Sequence, residues 1–144
     1  MTAQLNMLIR LRQYEVDRGQ IQLAMVLQQE RALAEQVAAL DQQAEIHRTQ
    51  LSGLCRCGQL DIAAMRLRQQ YLQLLAAQRS ELQTQFDVAQ RVTQEHRGRL
   101  LAADQRLKIA EQLREAALHD ASTQRVRRET LDCEDSWRIS SRRS

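Results

Sequence analysis

Two thiols stand one residue apart at Cys55 and Cys57, with an imidazole, His47, two helical turns earlier. Thiolate and imidazole are ligands that zinc prefers, but a structural site needs four donors and usually a C-x₂₋₄-C spacing. A fourth ligand is missing, and the third cysteine, Cys133, is far along the chain. No metal or other cofactor is therefore expected, and the cysteines read as loop residues. His96 and His119 are scattered and share no face with His47. The chain has no GxxxxGK[ST] phosphate loop, no GxSxG and no HExxH, so the usual signatures of nucleotide, acyl-transfer and metalloprotease chemistry are absent. Its carboxylates, such as Glu111 and Glu115 beside Arg114, follow the i,i+4 spacing of a solvated helix surface. No catalytic residue is assigned and an enzyme is not expected.

The remaining candidates lie near the C-terminus. Arg125, Arg127 and Arg128 surround Val126, and Arg138 follows the lone tryptophan, Trp137. Tryptophan and arginine are the favoured anchors of protein interfaces. Cations are also favoured at a helix C-terminus by the macrodipole, which accounts for part of the bias without any partner. Glu129, Asp132, Glu134 and Asp135 interleave with the arginines and would repel phosphate, so nucleic acid is not the expected partner.

The elements that must position these residues are helices. There is no proline in 144 residues and there are four glycines, where usual frequencies would give about seven prolines. Proline removes a helical hydrogen bond and clashes with the preceding turn, so its absence suits long uninterrupted helices. Aromatics are 3% of the chain while apolar residues are 43%, too few large side chains for an ordinary core and too much hydrophobicity for plain disorder. The net charge of +3 is spread over interspersed acids and bases, as on a solvated helix. An odd number of cysteines without a secretory h-region leads to the expectation of a reducing, cytoplasmic compartment. No run reaches the ~20 apolar residues of a transmembrane helix.

The segment from Gly53 through Leu54, Cys55 and Cys57 to Gly58 is the one stretch that reads as a turn. The expected fold is all-α, a single antiparallel two-helix coiled-coil hairpin. Its first helix covers about 3–52, the turn about 53–59 and a longer second helix about 60–138, followed by a frayed tail. In the first arm Ile9, Val16, Leu23, Val37, Ala44 and Leu51 recur at sevens, broken by Glu30, and Leu5, Val26, Leu33, Leu40 and Leu54 accompany them. Arg12, Gly19 and His47 weaken that companion row. The spacing is that of a coiled-coil seam. In the second arm, which Asp61 could cap, the seven-residue row is Leu60, Leu67, Leu74, Val88 and Ile109, with Tyr71, Leu75, Leu82, Val92 and Leu113 beside it. The stripe then shifts to Leu100, Ala103, Leu107 and Ala110.

A first arm of that span is about 75 Å long at 1.5 Å per residue. Folded back, it covers the second arm to about residue 109 and leaves residues 110–144 without an intrachain partner. This overhang is either a fraying terminus or a docking surface. On the second reading the partner-binding residues are Leu113, Ala117, Arg125, Val126, Arg127, Arg128, Trp137 and Arg138.

This layout resembles the FliJ family of type III export, whose injectisome relative is YscO. Leu8-Ile9-Arg10-Leu11-Arg12-x-x-Glu15 is similar to the Leu-rich, Arg/Glu-dotted opening of those chains. Lys108-x-x-Glu111-x-Leu113-x-Glu115 is similar to their K-x-x-E-x-L-x-E run, and Arg128-Glu129-Thr130-Leu131-Asp132 to an R-E…L-D-E segment, with the last acid displaced to Glu134 by Cys133. The resemblance implies a non-enzymatic central stalk and general or escort chaperone of a type III export apparatus, flagellar or injectisome. It implies as partners the hexameric export ATPase, the export gate protein and other export chaperones. It also implies a cytoplasmic protein that meets the inner membrane only peripherally, through that apparatus. A self-associating structural coiled coil, without an ATPase partner, is the alternative.

Overall fold

The structure, a computed structural model, describes residues 2–56 and 61–143. Two helices account for nearly all of them: α1, Thr2–Arg56, of 55 residues, and α2, Ile62–Arg143, of 82 residues. Among the described residues there is no strand. The fold is the expected all-α one, an antiparallel coiled-coil pair in which the second helix is the longer.

The helix ends differ from expectation by a few residues. α1 continues through Gly53, Leu54 and Cys55 to Arg56 instead of turning at Gly53. Gly53 has no left-handed φ, and a Cβ there would meet open space, so nothing at that residue compels a bend. Cys57 and Gly58, the other residues of the expected turn, lie outside the described residues. Asp61 caps α2 as its side chain allows: its Oδ1 accepts from the Ala64 amide at 3.3 Å, and its carbonyl accepts from Met65 at 3.0 Å. The first bond satisfies a donor that a helix start leaves orphaned, and the second is the opening i,i+4 bond of the helix. At the other end α2 runs past residue 138 to Arg143.

Internal contacts divide the chain into two units, Gln20–Arg99 and Met1–Gly19 with Leu100–Ser144. In the Gln20–Arg99 unit each step up α1 is matched by a step down α2. Gln50 meets Arg68, the His47 ring meets Tyr71, Asp41 pairs with Arg79, and Glu30 meets Thr93. Leu75, 3% exposed, and Ala44 are its buried apolar residues. Thr93, 1% exposed, sits in the seam with its hydroxyl 3.0 Å from its own Ala89 carbonyl and 2.8 Å from Glu30 Oε2. A buried hydroxyl that finds such acceptors avoids the cost of an orphaned polar group. The polar layer it forms with Glu30 marks one register of the two helices, the use such layers have in coiled coils.

In the unit formed by Met1–Gly19 and Leu100–Ser144, Val16, Ala103 and Leu107 form a buried cluster against which Ile9 and Leu100 pack. Arg12 occupies the inner row of α1, half-buried, and Glu15 one turn on neutralises it at 3.0 Å. Gly19 faces Leu100, with a built Cβ 3.2 Å from Leu100 Cδ1, so close packing is what glycine permits here. At Gly98, in the other unit, the built Cβ meets nothing. Gly98→Ala is therefore expected to raise stability by about 1 kcal/mol, the helix-propensity difference alone. Gly19→Ala should gain less, because Leu100 must move, and urea denaturation of the two variants measures the contrast.

Every inner position of α1 keeps the seven-residue phase, including Arg12, Gly19, Glu30 and His47. α2 does not follow the row of large side chains. Leu67, Leu74, Val88 and Ile109 are exposed, Leu67 at 69%, and Tyr71 and Leu113 are exposed beside them. The inner rows are Met65, Leu72, Phe86 and Thr93 with Arg68, Leu75, Leu82, Ala89 and His96, and they continue without a shift as Leu100, Ala103, Leu107 and Ala110. Large residues such as Leu72, Leu75 and Phe86 share these rows with small ones and with the half-buried Arg68.

Candidate functional site

The seam in the terminal unit ends before α2 does. Ala110 is 2% exposed, Arg114 and Ala117 are half-buried, and from residue 124 onward every described residue is exposed. The described part of α1 begins at Thr2. The overhang is thus shorter at its base than the expected 110–144, since Ala110 belongs to the seam. What remains is helix to Arg143, with Thr123 and Thr130 bonding back to the His119 and Val126 carbonyls at 2.9 and 2.8 Å.

The eight residues expected to bind a partner all fall on α2 in this unit, but not on one face. Val126 and Trp137, eleven residues apart, share a face with Thr130 and Cys133 between them at i,i+4,i+7,i+11 spacing. Arg127 and Arg138 flank it on one side and Arg125 on the other, while Arg128 lies towards the back. Leu113 and Ala117 point elsewhere, with Ala117 at the end of the seam. Trp137 is 72% exposed, and Leu131 and Ile139 are exposed nearby. A tryptophan left in water on a polar helix is an unspent apolar surface, the feature that interface anchors present before binding. α1 adds Met7, Leu11 and Tyr14, exposed at i,i+4,i+7 on the side away from the seam.

The Gln20–Arg99 unit has an apolar surface at residues whose spacing predicts a seam position. Leu67, Tyr71 and Leu74 form an open groove with His47, Arg68 and Gln70. The Tyr71 ring stands edge-on to His47 at 4.6 Å and 66°, a favourable aromatic geometry. His47 Nδ1 is buried with no hydrogen-bond partner among the described residues. The signal for this groove was present in the sequence: a second i,i+4,i+7 apolar set beside a seam already filled by Met65, Leu72 and Leu75.

Chemistry-bearing clusters are sparse. Among the described residues no three His, Cys, Asp or Glu groups converge as a metal site. Cys55 and Cys133 are free and exposed, and Cys57 lies outside the described residues. No helix among them is long and apolar enough to cross a membrane.

Comparison with known proteins adds the family. Searches of curated proteins and of solved structures found no match. Residues 1–135 match the family described as Flagellar FliJ protein. With nearly the whole chain matched and the two-helix fold in place, this protein belongs to the FliJ family, a family of flagellar export and not one known for enzymes.

Proposed function

We propose that this chain is the non-enzymatic central stalk and escort chaperone of the flagellar export apparatus, and that its overhang engages the hexameric export ATPase. The observation that carries this reading is the continuation of α2 as helix to Arg143 beyond a seam whose half-buried residues end near Ala117. Isolated helices are marginal in water, so a bare helix with an exposed tryptophan and an arginine collar is suited to being completed by another protein. We assign that contact to residues among Leu113, Ala117, Arg125, Val126, Arg127, Arg128, Trp137 and Arg138, which are spread over more than one face of α2. The groove of Leu67, Tyr71 and Leu74 offers a second docking surface, which we assign to the export gate protein or to another export chaperone. The protein then works in the cytoplasm and meets the inner membrane only through these partners.

The test is the rate of ATP hydrolysis by the purified export ATPase with and without the purified chain. Stimulation together with co-sedimentation is the expected result. Neither effect, at chain concentrations well above the ATPase, would sink the stalk reading.

A further inference from the structure

The overhang is not an unfinished piece of the hairpin seam. The two rows of α2 that face α1 would continue there as Arg114, Ala121, Arg128 and Asp135, and as Ala117, Gln124, Leu131 and Arg138. Past the start of α1 they become mixed, with five polar or charged residues and only Ala117, Ala121 and Leu131 apolar. A second, less charged stripe runs on a different face, that of Val126, Thr130, Cys133 and Trp137, spaced four, three and four residues apart. That is the knob spacing of a separate coiled-coil seam. Thr130 suits a dry seam, because its hydroxyl already donates to the Val126 carbonyl at 2.8 Å. Thr93 is the precedent in the same chain, back-bonded to the Ala89 carbonyl at 3.0 Å and 1% exposed.

We propose that this face binds a second copy of the chain, lying antiparallel to the first. The charges beside the stripe select both partner and orientation. In an antiparallel pair, Val126 packs against Trp137 of the second copy and Thr130 against Cys133. The flanking positions then bring Arg127 beside Glu134 of the other chain, twice by symmetry. In a parallel pair the flanking contact is Glu129 against Glu134, a like-charge pair repeated twice. Opposite charges at such positions set coiled-coil orientation, and like charges disfavour the alternative. The face is therefore self-complementary in one direction only. This inference does not rest on the ATPase-binding role. Where both hold, the paired chain is a reserve form whose overhang must be freed before it can engage another partner.

Sedimentation equilibrium of the full chain, in reductant and over a wide concentration range, tests the proposal. A reversible monomer–dimer equilibrium is expected. Arg127→Glu and Glu134→Arg are both exposed changes on the helix surface, and far-ultraviolet circular dichroism should show unchanged helicity. Each alone places two like-charge pairs in the dimer and should weaken it about tenfold or more. An equimolar mixture of the two variants should regain the affinity, since only the mixed antiparallel dimer restores both opposite-charge pairs. A wild-type chain that stays monomeric at its highest soluble concentration would overturn the proposal. So would a dimer indifferent to both substitutions, or single variants that weaken it without rescue on mixing.

Discussion

Leu75→Ala is expected to cost about 2–4 kcal/mol of hairpin stability, the range for a buried leucine whose removal leaves a cavity. Leu75 is 3% exposed, the most buried large side chain of a seam it shares with Leu72, Leu82 and Phe86. Its neighbour Leu74 is 54% exposed, so Leu74→Ala should change stability by less than about 0.5 kcal/mol, as surface substitutions do. Urea unfolding followed by circular dichroism gives both values. Equal losses, or a larger loss at Leu74, would mean that α2 is rotated by one residue from the phase described above.

That pair of variants also isolates what could be read from the sequence and what could not. The phase of α1 was legible because its heptad is nearly unbroken, and helix geometry turns every seventh residue inward whatever its type. Arg12, Gly19, Glu30 and His47 accordingly stay in the inner row, each with a local accommodation: Glu15 beside Arg12, Leu100 over Gly19, Thr93 beside Glu30 and Tyr71 beside His47. α2 misleads because it carries two apolar sets. One, Leu67, Leu74, Val88 and Ile109, faces water, while the other packs on α1 and mixes Leu72, Leu75, Leu82, Phe86 and Leu107 with the smaller Ala89, Thr93, Ala103 and Ala110. Side-chain size does not separate the two sets, because large residues occur in both. The overhang could be foreseen by length alone, since an 82-residue helix outruns one of 55 residues. Its base could be placed only once Ala110 was seen in the seam. Which of its residues touch a partner is a property of two surfaces, and one chain holds half of that information.

A chain ending at residue 117 is expected to keep its hairpin and lose its effect on the export ATPase. The truncation leaves Val16, Ala103, Leu107 and Ala110 in place, so the thermal midpoint should move little. It removes Val126, Trp137 and the surrounding arginines, so ATPase stimulation and co-sedimentation should fall to background. A cut at residue 109 would be a poorer test, because it deletes a seam residue together with the overhang. Full stimulation by the shortened chain would show that the docking surface lies elsewhere, with the Leu67–Tyr71–Leu74 groove the next surface to alter.

Trp137 has a further consequence. It is the chain's single tryptophan, it is 72% exposed, and it stands on the segment that the hairpin seam does not cover. Tryptophan emission, excited at wavelengths that Tyr14 and Tyr71 do not absorb, therefore reports on one place only. In dilute solution its emission is that of a water-exposed indole, and melting the helices apart changes the indole's surroundings little. Covering the overhang takes the indole out of water and shifts the emission to the blue. The protein carries a built-in optical gauge of whether its terminal helix is free or engaged.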